Sequence, residues 1–229
     1  MISTILFSSL TSASVSAAIA YALGRDLRQI NRADCQECRT DALTGIGNRR
    51  FATEALTACA NLGDQDDDQP FAVVMVDLDR FKQVNDTHGH HIGDAVLIEV
   101  ARRLGEVCDR DIVARLGGDE FVIIAGVHTR PLARMLAAHV HDTLTTPMTI
   151  GDLTLTVGAS VGVVVATPTQ ADRALKHADR AMYTAKMAGG GIAERVIDPT
   201  DDIPEGTDRP LVRLRDMRQM DPTRAEVPA

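Results

Sequence analysis

At 229 residues the chain has room for one domain of roughly 150–160 residues with short extensions on either side. Its 24 Lys and Arg stand against 32 Asp and Glu, a formal charge of −8, with 3% aromatics and no Trp. That balance excludes a nucleic-acid groove, which needs basic patches and stacking rings, and leaves any phosphate-binding residues as local features.

The first element expected is a membrane anchor. Ile2 to Leu23 carries no charged residue, and 22 residues are enough to cross a bilayer. The segment is only mildly hydrophobic, because eight of the 22 are Ser or Thr. Small residues such as Ala18-Ile19-Ala20 raise the alternative of a signal peptide, but Lys and Arg are missing ahead of the apolar stretch. Arg25, Arg28 and Arg32 follow it, which places the rest of the chain in the cytoplasm, below a single pass through the inner membrane. A soluble N-terminal helix is the competing reading.

Residues 25–40 read as a helix-compatible connector. Leu27 and Ile30 could form part of a short dimer seam, although two residues make no heptad pattern. Cys35-Gln36-Glu37-Cys38 resembles half a zinc site, yet no second CxxC or spaced His pair accompanies it. A helix is expected near Arg49–Ala60, and Asp64-Gln65-Asp66-Asp67-Asp68 reads as a solvated loop.

The run from Phe71 to Val76 is six apolar residues long and predicts a strand over 71–78 buried on both faces. Asp77 falls where that run ends, the usual place for ligands on such a sheet. Helices around 80–87 and 92–107 follow. Between them Lys82 can supply positive charge to phosphate, while Asn85 and Asp94 can hydrogen-bond a base edge. His88, His90 and His91 read as polar loop residues, one of them near the ligand, rather than as a metal cluster.

Two further apolar runs, Ile112–Leu116 and Phe121–Ala125, are joined through Gly117-Gly118 and read as a hairpin. The glycines accept positive φ and let backbone approach a ligand closely. Asp119 and Glu120 then sit at or just beyond the turn. Carboxylates at a hairpin facing another at a strand end make a site for a hard divalent cation, which takes a few carboxylate oxygens and substrate phosphates.

A helix near 130–145 and one strand over Leu153–Val165 come next. The alternation of Leu155, Val157, Ala159, Val161 and Val163 suggests that this strand is covered on one face. A helix over about 170–188, a short strand near Ala193–Ile197 and a tail with five prolines finish the chain; the tail, 199–229, is expected to be mostly disordered. The layout is α+β, a mainly antiparallel sheet flanked by helices.

Four stretches in this order resemble the GGDEF domain, the diguanylate cyclase family, across residues 41–198. They are Asp41-Ala42-Leu43-Thr44-Gly45-Ile46-Gly47-Asn48-Arg49-Arg50, Asp77 to Asp86 running on to Asp94, the Gly117–Phe121 hairpin, and Ala178-Asp179-Arg180-Ala181-Met182-Tyr183-Thr184-Ala185-Lys186. The resemblance implies a palm-like nucleotidyl cyclase fold that condenses two GTP into cyclic di-GMP and pyrophosphate between two such domains, hence a homodimer. It implies that Asp77, the Leu78 carbonyl and Asp119 hold Mg²⁺, with Mn²⁺ as a substitute. Asn85 and Asp94 would read guanine with His90 nearby, Lys82 and Lys186 would meet the phosphates, and Gly117 and Gly118 would line the nucleotide. Asp119 or Glu120 would assist deprotonation of the attacking hydroxyl.

Two departures from the family pattern bear on activity. Members usually carry Arg where this chain has Gly190, which removes one phosphate contact. Many also carry Arg-x-x-Asp before the hairpin, where product inhibits; here Cys108 takes the Arg place. The alternative function is a weakly active or inactive domain that binds GTP and serves as a regulatory or scaffolding module.

Overall fold

The computed structural model describes residues 39–62, 69–127 and 129–197. The expected anchor, most of the connector, the Asp64–Asp68 loop and the tail lie outside the described residues. Among the described residues no helix is long and apolar enough to cross a membrane.

In chain order the elements are β1 (Gly47–Asn48), α1 (Arg49–Leu62), β2 (Phe71–Asp79), α2 (Phe81–His88) and α3 (His90–Val107). They continue with β3 (Ile112–Gly117), β4 (Glu120–Ala125), α4 (Arg130–Thr145), β5 (Met148–Ile150) and β6 (Leu153–Leu155). Last come β7 (Gly158–Ala166), α5 (Ala171–Met187) and β8 (Gly191–Val196). Six strands form one sheet in the order β1-β3-β4-β2-β7-β8, and β5 and β6 form a separate ribbon.

The sheet is mixed. Its three central pairings, β3–β4, β4–β2 and β2–β7, are antiparallel, but both outer pairings, β1–β3 and β7–β8, are parallel. For β8 the reason lies in the connection: the chain leaves β7, crosses through α5 and returns in the same direction, as a parallel pair requires.

Side-chain alternation sends β2 into two cores. Ala72, Val74, Val76 and Leu78 join one cluster with residues of α3 and α4, while Phe71, Val73 and Met75 join another with residues of α1 and α5. Each fully buried Val or Phe contributes about 1.5–3 kcal/mol relative to exposure, so the register is strongly fixed: a slip of one residue would exchange the two faces.

The single strand expected over 153–165 is two. Leu153–Leu155 turns back on Met148–Ile150 through Gly151, at φ +59°, and β7 begins only at Gly158. Nor is β7 covered on one face alone, since Ser160, Val161, Gly162, Val163 and Val164 are all buried. Its second face looks polar and small in sequence because α5 lies against it with an alanine stripe, Ala171, Ala174, Ala178, Ala181 and Ala185. Gly162 permits that approach: a Cβ there would overlap the backbone of Ala178 and Met182.

Candidate active site

Cross-strand register assembles the acidic site. Asp77 on β2 lies opposite Glu120 on β4, and the Leu78 amide donates to the Asp119 carbonyl at 3.2 Å. Asp77 shares the sheet face of Val73 and Met75, while Glu120 shares that of Val122 and Ile124, so both face the α5 side. The hairpin turn itself is Gly118-Asp119, with Gly117 at φ +142° and Gly118 at φ +55°. A bulge between Arg115 and Gly117 bends β3 on its way into the turn.

Asp77 is 4% exposed, and the Lys186 ammonium on the last turn of α5 hydrogen-bonds it. Burial first, then the charge of Asp119, push the Asp77 carboxyl up to about 6; Lys186 opposes the rise and Glu120 adds to it. The Lys186 ammonium thus does not bring the Asp77 carboxyl back to its ordinary value. The donors are hard carboxylate and carbonyl oxygens, and a side-chain cation already rests on Asp77, so the residues suit Mg²⁺. Among the described residues no three His, Cys, Asp or Glu side chains are grouped so as to hold a metal ion by themselves.

Lys186, expected at the phosphates, pairs with Asp77 in this structure. Asn85 is half-buried in α2, and its side chain rests on Gly93 of α3. Lys82, His90 and Asp94 are exposed on the same two helices. Arg80, between β2 and α2, is the one non-glycine residue at positive φ among those described, at +57°. Such strain costs on the order of 1–3 kcal/mol and clusters at sites.

Gly93 gives a clean test of Asn85. Alanine suits a helix interior better than glycine by about 1 kcal/mol, but its Cβ would overlap the Asn85 Oδ1. Gly93→Ala should therefore keep the fold and displace Asn85, lowering affinity for GTP relative to ATP by about tenfold, the worth of one lost hydrogen bond. Nucleotide titrations of the folded variant check it, and an unchanged GTP preference would remove Asn85 from base reading.

Sequence reasoning gave Arg115 and Asp41 no role, yet together they brace the hairpin. The Arg115 Nε donates to the Gly118 carbonyl at 2.9 Å and its Nη1 to the Asp41 Oδ1 at 3.0 Å. Thr44 donates to the same Asp41 oxygen through its amide and hydroxyl. Burial alone would raise the Asp41 carboxyl, but the Thr44 and Arg115 hydrogen bonds outweigh it and hold it below its ordinary value. The Arg49 Nε adds a bond to the Leu116 carbonyl at 3.0 Å. The available signal was an arginine inside an otherwise apolar strand.

Gly190 also reads differently in three dimensions. It stands at φ +108° between Gly189 and Gly191, both likewise at positive φ, and a Cβ there would lie 2.7 Å from the Asp79 Oδ2. Asp79 is itself held by the Ser160 hydroxyl at 2.6 Å. Gly190→Arg should therefore cost about 1–3 kcal/mol of stability and give no gain in GTP affinity. Thermal melting and nucleotide titration decide it, and a stable variant with tighter GTP binding would contradict the geometry.

The family model described as diguanylate cyclase, GGDEF domain, matches residues 38–191. Diguanylate cyclase DgcP of Escherichia coli is 37% identical over 169 residues, 72% of this chain and 49% of that protein. The crystal structure of the GGDEF domain of TpbB from Pseudomonas aeruginosa superposes with a TM-score of 0.61 at 30% identity, covering 68% of this chain and 98% of that one. The GGDEF domain of DgcB from Caulobacter crescentus, solved with c-di-GMP, gives a TM-score of 0.62 at 25% identity, covering 72% of this chain and 97% of that one. The chain spans between 22% and 49% of the length of three curated relatives that it matches.

Proposed function

The chain belongs to the GGDEF, diguanylate cyclase family, and we propose that it condenses two GTP into cyclic di-GMP with release of two pyrophosphates. The observation that carries this reading is the meeting of Asp77, Asp119 and Glu120 at one end of the β2–β4 pairing, beside Lys186. Asp77, Asp119 and the Leu78 carbonyl would hold Mg²⁺ there, which supplies charge neutralisation to the triphosphate. Asn85 and Asp94 accept the guanine edge, with His90 alongside. Lys82 and Lys186 contact the phosphates, and the Gly117-Gly118 backbone admits the nucleotide closely. Asp119 or Glu120 takes the proton of the ribose 3′-hydroxyl as it attacks the α-phosphorus of the other GTP, and pyrophosphate departs.

Each domain offers one nucleotide site and the product joins two nucleotides, so two copies must meet with hairpins facing in a two-fold arrangement. Residues 2–23 as a single-pass inner-membrane anchor, with the domain in the cytoplasm, would raise the local concentration of partners. Feedback through the Cys108–Asp111 segment is not expected, because a buried Cys108 stands where the family pattern has the product-binding Arg. Gly190 favours the second reading, a GTP-binding module of low activity.

The test is cyclic di-GMP formation by the full chain with GTP and Mg²⁺ across a dilution series. Turnover per molecule should fall on dilution as the encounter is lost. Turnover independent of concentration would contradict the two-domain site.

A further inference from the structure

The Asp77–Lys186 pair joins two groups of unequal freedom. Asp77 is fixed within the central β2, and its side chain keeps 6% of its surface, whereas that of Lys186 keeps 32%. Lys186 stands in the last turn of α5 and carries its ammonium on a flexible four-carbon stem. The lysine can leave, and the aspartate cannot follow. An ammonium and a divalent cation compete for the same carboxylate oxygens, so a metal arriving alone must break a charge-assisted hydrogen bond before it gains Asp77. A triphosphate changes that balance, because it offers the released ammonium new anionic acceptors.

We propose that Lys186 is a resident counter-cation, which keeps Asp77 from taking up a divalent metal until nucleotide phosphates draw the ammonium away. Metal and nucleotide then bind as a coupled pair, each raising the other's affinity by the same factor. The proposal rests on reading Asp77 as a metal ligand. It accounts for a lysine that meets both a metal-ligand carboxylate and, once nucleotide is present, phosphate. The acidic surroundings supplied by Asp119 and Glu120 keep a cation in the corner in either state.

The experiment measures Mn²⁺ binding by calorimetry and electron paramagnetic resonance. It uses the full chain and its Lys186→Gln, Lys186→Met, Lys186→Arg and Asp77→Asn variants, with circular dichroism confirming the fold of each. Mn²⁺ is added alone and with a GTP analogue bridged by methylene between the α- and β-phosphorus. Lys186→Gln and Lys186→Met should bind Mn²⁺ alone about tenfold more tightly than the unmutated chain, while Lys186→Arg stays weak. The gain in Mn²⁺ affinity on adding the analogue should shrink in the two neutral variants. If they bind Mn²⁺ alone no more tightly, while Asp77→Asn abolishes binding with the analogue, the counter-cation proposal is overturned and the metal site stands. If Asp77→Asn leaves Mn²⁺ binding with the analogue unchanged, the metal reading falls and takes the proposal with it.

Discussion

Asp77→Asn is expected to lower cyclic di-GMP formation by about a hundred- to a thousandfold, the scale of losing a group that stabilises transition-state charge, and at the same time to stabilise the fold at pH 7. The two effects have one cause. Asp77 is buried at the end of a central strand, where burial and the Asp119 charge lift its carboxyl to about 6 even with Lys186 in place. Its folded-state value lies above its unfolded one, so the stability tied to the protonated form is complete below about pH 4. That stability is lost as pH rises through about 6, leaving the unmutated protein carrying an unfavourable buried charge at neutrality. At 1.36 kcal/mol per unit the relief is at most about 3 kcal/mol, and about 1–3 is expected once Lys186 loses its partner. Melting temperature at pH 7.5 should therefore rise in the variant, with the gap closing near pH 4.5. A variant less stable at every pH would make Asp77 a structural residue instead.

Gly162→Val should abolish the native fold. A Cβ at this position overlaps the main chain of α5 at Ala178 and Met182, which are backbone atoms that cannot turn aside as a side-chain tip can. Moving α5 away would open the core formed with Phe71, Val73 and Met75 and drag Lys186 from Asp77. Overpacking of this kind costs about 1–3 kcal/mol where side chains can yield and more where only backbone can. Insoluble protein, or loss of the cooperative melting transition, is the expected readout. A soluble variant with a native melt would mean that α5 lies farther from β7 than the Gly162 contact indicates.

How far the sequence reached depended on the range of the interaction. The Asp77 strand end and the Gly117-Gly118 hairpin were legible because each is a local pattern, an apolar run stopping at a carboxylate and paired glycines between two β-type runs. The pairing of Lys186 with Asp77 and of Arg115 with Asp41 was not, since these partners lie 109 and 74 residues apart in the chain. The strand expected over Leu153–Val165 failed because its alternation runs unbroken through the point where the chain leaves the β5–β6 ribbon. The parallel edge at β8 follows from α5 lying between two strands, which strand composition does not record. Gly190 looked like a missing arginine, although its backbone conformation and the neighbouring Asp79 admit glycine with the least strain.

The most direct test of the central claim is incubation of the full chain with GTP and Mg²⁺, with products identified by mass. Cyclic di-GMP and pyrophosphate should form in a one-to-two ratio, stop when Mg²⁺ is chelated, and be absent with Asp77→Asn. A folded, GTP-binding chain that makes no cyclic di-GMP at any protein concentration would contradict the account and leave the regulatory module in its place.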